Sequence, residues 1–354
     1  MNRLPKPLSI SILALSLCVP SLRAGEPPPL ADPIPKRLAS ASILWENDSL
    51  GGTDKHYTNG TRIEFTLGST IDRESTFLSP LFNFFEDHEE IYGTVFLGQN
   101  LYTPRDITVT ELIEDDRPYA GWLYAGVRFG TVNEWDDDQR FWFIKRALDY
   151  TSLEVNLGVV GPWALGDEVQ SGFHELINGQ EPMGWDNQIN NEIVFDANLF
   201  QSLSFRVLED SAQRVSLDFE PFYNLRAGMV QVYGGGGIAA VLGLNHKLGA
   251  TPRRLSYSGP LSRTGMGADW EVALFGSMEG RGVAWNTFLD GNVFANGSHT
   301  VDKEHFIWHS EVGIMLRYRW LVASSIQVFR SEEFDGQEGI HEFGSGRVGV
   351  EFPF

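Results

Sequence analysis

The feature that most limits what this chain can become is a period-two alternation of polarity that recurs along it and runs into its last residues. Ile63, Phe65 and Leu67 alternate with Arg62, Glu64 and Thr66, and Leu153, Val155, Leu157 and Val159 alternate with Glu154, Asn156 and Gly158. In the final segment Val348, Val350, Phe352 and Phe354 share one face, so the chain ends on an aromatic residue. Residues two apart stand on the same face of a strand. A strand with one apolar and one polar face suits a wall between lipid and a polar interior. Such a span takes about ten residues, far fewer than a membrane helix. After the first residues no stretch reaches the ~18 unbroken apolar residues of a helical span.

The start of the chain reads as an export signal. Arg3 and Lys6 precede an apolar core from Leu8 to Val19, and Ser21-Leu22-Arg23-Ala24 offers a cleavage site, giving a signal peptide over 1–24. Cys18 lies in this core, behind a Leu17 too bulky for good lipoprotein processing, and no cysteine follows it. An exported chain without disulfides needs another constraint, and a closed barrel supplies one. A polar, Pro-rich lead-in is expected over 25–40 and a barrel over 41–354. The formal charge of -20 argues against nucleic acid as a partner. It fits either a solvated surface or one that gathers divalent cations.

Twelve strands are expected. They cover Ala41–Glu46, Gly60–Leu67, Ile91–Gly98, Tyr119–Thr131, part of Phe141–Val159, Asn191–Leu208, Arg214–Leu225, Met229–Leu242, Trp270–Leu289, Phe306–Tyr318, Leu321–Arg330 and Phe343–Phe354. Residues Gly280 or Gly282 offer a place for a bulge. Twelve is even, as a single-chain bacterial barrel requires, and closure leaves no open edge in lipid. The 24 Phe, 10 Tyr and 10 Trp suit aromatic belts at the two interfaces. The fold class expected is therefore all-β: a 12-stranded antiparallel transmembrane barrel in the outer membrane, a monomer among outer-membrane lipids. With both termini on the periplasmic side, Asp48–Tyr57, Asn100–Pro118 and Gly161–Asn187 become outer loops. The third carries a possible short helix over Asp167–Asn178. Parity makes Ile71–Glu90 a periplasmic connection, long for that side.

These three loops hold the candidate chemistry. His174, with Glu168 and Glu175 close in sequence, can act as a base near neutral pH or serve as a structural loop histidine. Asn47 and Asp48 offer oxygens to a hard cation such as Ca²⁺, or cap their own loop. Thr58 can position water, act as a nucleophile, or satisfy a strand end. Gln99 and Tyr102, at the top of the third strand, could face the same cleft or pack the rim. Arg117 belongs to a dense block, Asp115 to Trp122, that reads as a ligand clamp or as an internal Asp116–Arg117 network fixing the mouth. Glu181 is a possible metal ligand or a solvated carboxylate. Gly234–Gly237 lacks the lysine and helix of a phosphate loop, and close backbone approach explains it better.

Taken in order, Glu46-Asn47-Asp48, Tyr57-Thr58-Asn59-Gly60, Gly98 to Pro104, Asp116 to Trp122, Gly161-Pro162 to Gln170 with His174, and Gly184 to Gln188 span nearly the whole mature chain. Together they resemble the lipid A 3'-O-deacylase family of Gram-negative outer membranes. The resemblance implies a twelve-stranded barrel that hydrolyses the 3'-linked acyloxyacyl ester of lipid A with Ca²⁺. Carried over by position, it implies catalytic roles for Asn47, Asp48, Thr58 and His174, with His174 as base and Asp48 holding the metal. A family glutamate shortly after the histidine falls on Gln180, with Glu181 one residue later. The basic sugar-binding element of the second loop is thin, since Arg105 and Arg117 are the cations between Gln99 and Trp122. The rival readings are an outer-membrane phospholipase and a porin-like barrel without enzymatic activity.

Overall fold

The computed structural model describes residues 38–48, 56–67, 90–135, 143–249 and 269–352. The expected signal peptide, Cys18, nearly all of the lead-in, the connection before residue 90 and Phe354 lie outside the described residues. The strands are β1 (Leu38–Asn47), β2 (His56–Leu67), β3 (Glu90–Thr103), β4 (Ala120–Glu134), β5 (Arg146–Val160) and β6 (Glu192–Glu209). They continue with β7 (Val215–Gly228), β8 (Gln231–Leu244), β9 (Trp270–Asn286), β10 (Phe306–Tyr318), β11 (Leu321–Arg330) and β12 (His341–Glu351). Each pairs antiparallel with its neighbours in sequence, and β12 returns to β1, closing the barrel. This seam runs from Ser40 opposite Glu351 to Asn47 opposite Gly344.

The alternation sorts as a lipid-spanning wall requires. Ile63, Phe65 and Leu67 are exposed on the outer surface while Arg62, Glu64 and Thr66 are buried inside. Inside, Arg62 and Arg128 each donate to Glu64 at 2.6 Å, and Arg347 also reaches Glu64. Arg128 and Arg62 also meet Glu154, at 3.1 and 3.3 Å, so the network crosses from β2 to β5 and β12. Buried charges must be paired in this way, since removing one partner strands the others in a dry interior. Toward the rim that carries the long loops, the filling becomes aromatic. Tyr57 meets Phe343 with ring centroids 5.0 Å apart, and Trp122 stacks on Tyr124 at 3.9 Å.

Two details differ from the sequence expectation for β9. The strand stops at Asn286, whose side-chain oxygen accepts from the Phe288 backbone N–H and starts a single helical turn, Thr287–Asp290. Leu289 is therefore helical, and the turn drops Phe288 into the barrel, where it stacks on Tyr102 at 4.0 Å. The irregularity in pairing falls at Ala284, since Val232 faces Trp285 and Tyr233 faces Val283. Gly280 and Gly282 pair regularly. The run Gly234–Gly237 does serve close approach: a Cβ on Gly237 would lie 2.2 Å from the Met278 carbonyl oxygen.

Candidate functional site

The rim holding the connections after β1, β3, β5, β9 and β11 is where the candidate residues gather. Asn47 is the last residue of β1 and pairs with Asn59 on β2, which pairs with Leu101 on β3, which pairs with Gly121 on β4. This row has the outward parity of Ile63 and Leu97, so it lies on the outer wall. Asn47 is nonetheless buried, and Asp48, the next residue, is fully so. Beside them Trp45 donates its indole N–H to the Asn59 side-chain oxygen at 2.9 Å.

Thr58 stands in a β-bulge. Tyr57 pairs with Tyr102 and Asn59 with Leu101, leaving Thr58 as the extra residue of β2. A bulge re-aims a side chain that the regular pleat would send to a fixed face. The Thr58 hydroxyl lies 2.6 Å from the Thr103 hydroxyl, one donating to the other, and both residues are buried. Nothing in the Gly98–Pro104 run marks Thr103; only pairing across β2 and β3 brings the two hydroxyls together.

The helix of the third loop, α1 (Gly166–Ile177), matches the expected one within a residue at each end. It packs on the outside of the barrel, and small residues let it do so. A Cβ on Gly121 would sit 3.0 Å from the Ala164 Cβ, and one on Gly166 would strike Trp185 at 2.4 Å and approach Leu101 at 3.3 Å. Gln99 donates to the Ala164 carbonyl at 2.7 Å and pins the helix start to β3. Gly166, Gln170 and His174 are the buried residues of α1 and recur at four-residue spacing, the face turned to the wall. Trp185 braces this face by donating to the Gln170 side-chain oxygen at 2.9 Å.

The helix ends at Asn178 in a left-handed conformation, and the Gly179 N–H donates back to the His174 carbonyl at 2.8 Å. This reversal brings the Gln180 carbonyl onto His174 Nδ1. A carbonyl only accepts, so Nδ1 carries the proton and the neutral ring keeps its lone pair on Nε2. That is the tautomer a proton-accepting Nε2 needs. The side chains of Gln180 and Glu181 are both exposed.

The second loop serves a different side of the wall. Tyr102 faces the barrel interior, whereas Gln99 faces the outer surface, because residues three apart on a strand point to opposite faces. The two do not share a cleft. Arg117 is buried above Tyr102, its guanidinium carbon 5.2 Å from the ring centre, and donates to Glu333 at 3.5 Å. Asp116 accepts the backbone N–H groups of Arg105 at 2.7 Å and Arg117 at 2.8 Å. Its carbonyl accepts from His299 at 3.1 Å, so connections from three parts of the chain interlock over the mouth. Burial pushes the Asp116 carboxyl above its usual range. Burial also disfavours the Glu333 carboxylate, but Arg330 and Arg117 outweigh it and draw that carboxyl down to about 2.

Oxygen donors at Asn47 and Asp48 have the chemistry of a hard-cation site. Among the described residues no three His, Cys, Asp or Glu side chains cluster as a metal cage would, so carboxamide or backbone oxygens would have to complete such a site.

A sequence profile described as "Outer membrane protein LpxR" matches residues 10–352, a span that includes every candidate site residue from Asn47 to Glu181. The chain belongs to the LpxR family. Among solved structures, LpxR from Salmonella typhimurium superposes with a TM-score of 0.67 at 20% identity, covering 89% of this chain and 100% of that one. The translocator domain of the autotransporter NalP from Neisseria meningitidis superposes with a TM-score of only 0.40 at 11% identity, covering 90% and 87%. No curated protein sequence matches the chain. In this LpxR-family chain the helix lies on the outer wall, and its His174 face is turned to that wall.

Proposed function

We propose that this LpxR-family protein is a hydrolase that removes the 3'-linked acyloxyacyl chain from lipid A, the lipid anchor of lipopolysaccharide, with Ca²⁺ and at the exterior face of the outer membrane. The observation that supports the reading is a helix outside the barrel whose buried face, with His174 on it, turns to the outer wall at the rim where Asn47, Asp48 and Thr58 also lie. The row from Gly121 to Asn47 spans three strand spacings, roughly 14 Å. His174 lies about 12 Å along α1 from Gly166, a length comparable to that row. A site on the lipid side of the wall receives an ester whose chains stay in the bilayer.

In this reading Nε2 of His174 takes a proton from water, and the resulting hydroxide attacks the ester carbonyl carbon. The tetrahedral intermediate collapses, the C–O bond to the sugar breaks, and His174 returns the proton to the sugar oxygen. Asn47 and the Thr58 hydroxyl orient the reacting groups, and the Gln180 carbonyl keeps the imidazole upright throughout. Asp48, with Glu181 as a further candidate, would hold Ca²⁺, which when bound supplies positive charge to offset the developing oxyanion. Gln99 acts through the helix start it pins, and Tyr102 and Arg117 act through the mouth they brace. Contacts crossing the lumen from Arg62 to Glu154 argue against a porin-like channel.

Mass spectrometry of lipid A after expression tests this. Wild type should produce lipid A lacking the acyloxyacyl group, while His174→Ala should stay a folded barrel and lose activity by about 10²–10⁴-fold. Chelation should silence the wild type and added Ca²⁺ restore it. Full release by His174→Ala would sink the assignment; turnover of phospholipid instead of lipid A would favour the phospholipase.

A further inference from the structure

The wall-facing residues Gly166, Gln170 and His174 divide the rest of α1 into two flanks. One position after each comes Asp167, Ser171 and Glu175, which are polar. One position before each comes Leu165, Val169 and Phe173, which are apolar and exposed, and Leu176 continues this flank with 78% of its surface open. A soluble helix with one wall to pack against turns its apolar stripe to that wall. This helix instead seats glycine, glutamine and histidine there and holds a row of large apolar side chains out sideways.

The barrel shows what lies beside that row. Leu97, Leu157 and Phe195 form one outward line across β3, β5 and β6, joined through Ala125 on β4, and all three are exposed. The next line toward the rim contains Gln99 and Ile193. Gln99 is the residue that pins the helix start. The apolar flank of α1 therefore begins one row above a belt whose surroundings are hydrocarbon, on the same outer surface. A helix with a polar and an apolar flank, held at that height, lies in the interface with its apolar side in the acyl region.

We infer that α1 is an interfacial membrane helix whose Leu165–Val169–Phe173–Leu176 flank seats in the acyl chains of the adjoining leaflet. Its occupant is bulk bilayer hydrocarbon, present whether or not a substrate is bound. The inference rests on the lipid-spanning barrel and not on the chemistry at His174. By holding α1 at the depth where acyl chains meet head groups, the flank sets the level at which the histidine meets the bilayer.

The test uses a nitroxide at Leu176→Cys, in a chain with Cys18→Ser, reconstituted in dioleoylphosphatidylcholine bilayers that contain no lipopolysaccharide. Collisions with oxygen and with a water-soluble nickel complex report whether each label is in hydrocarbon or water. Leu157→Cys marks the barrel belt and Glu175→Cys the polar flank. The expected result is a loss of nickel collisions at Leu176, as at Leu157, while Glu175 keeps them. The same reading in a His174→Ala background separates this result from catalysis. Nickel access at Leu176 equal to that at Glu175 overturns the inference. So does protection that appears only when lipopolysaccharide is added, since the flank would then be a seat for a substrate chain.

Discussion

His174 and Gly179 show how closely the site depends on single atoms. A methyl group at Gly179 would stand 3.3 Å from His174 Nδ1 and 3.4 Å from Cγ, tight enough to shift the ring by a few tenths of an ångström against the Gln180 carbonyl. Gly179→Ala should therefore slow lipid A deacylation by about tenfold or more while leaving thermal unfolding almost unmoved, because misplacing a reacting group costs rate rather than fold. Steady-state rates beside a melting curve check it; equal rates would remove the carbonyl from the account. Much at this scale was legible before any coordinates. Asn47, Asp48, Thr58 and His174 stand in or beside loops whose parity puts them at one rim, and the strands obey that parity. The partners were not legible. Nothing in Thr58-Asn59-Gly60 marks Thr58 as the bulged residue, because a bulge is fixed by the register of a strand some forty residues away. Likewise the sequence offers Gln180 as a side chain, whereas in the structure its main-chain oxygen meets His174.

At the scale of elements, the seat of α1 on β3 and β4 is made by the absence of side chains. Gly121→Val would drive its new methyl groups toward Ala164 and lift the helix start. The expected outcome is a barrel that still resists unfolding in detergent but has lost most of its activity, read by gel mobility with and without heating alongside lipid A mass spectra. Strand ends were the part of the elements hidden from the sequence. β3 runs on to Thr103 and β2 starts at His56, several residues beyond the apolar alternation. Above the lipid both faces of a hairpin are polar or covered by loops, so backbone pairing continues where the pattern that reveals it has stopped. The loop after β11 should be pH-sensitive because of Glu333. Glu333, with its carboxyl at about 2 against 4.5 when free, stabilises the closed mouth fully above about pH 4.5. That contribution, on the order of 3 kcal/mol, drains away as the pH falls toward 2. The raised Asp116 carboxyl works the other way and returns some stability on protonation. Hydrogen exchange over 331–340 should accelerate in acid, and Glu333→Gln should flatten that dependence.

At the scale of the whole molecule, the lumen is held by charge pairing in its middle and by an aromatic cluster toward the rim. Glu64 meets three guanidinium groups, Arg62, Arg128 and Arg347, the first two of which also meet Glu154. Glu64→Gln should cost about 3–5 kcal/mol, because three guanidinium groups lose one carboxylate in a place water reaches poorly. A fall in the urea midpoint of the reconstituted barrel measures it, and an unchanged midpoint would mean the lumen is wetter than its packing indicates. The twelve strands and their order were readable from period-two patterning, since burial on only one face leaves a signature in every segment. The plugging of the mouth was not, because it depends on Phe288, Glu333 and His299 arriving from connections far apart in sequence.

The seam between β1 and β12 ties Asn47, near the start of the barrel, to Gly344, near its finish. This edge of the barrel is thus stitched from the earliest and the latest strands to emerge during synthesis. Until β12 is laid down, Asn47 is held from the β2 side alone, and only the last strand to be made completes the ladder around it.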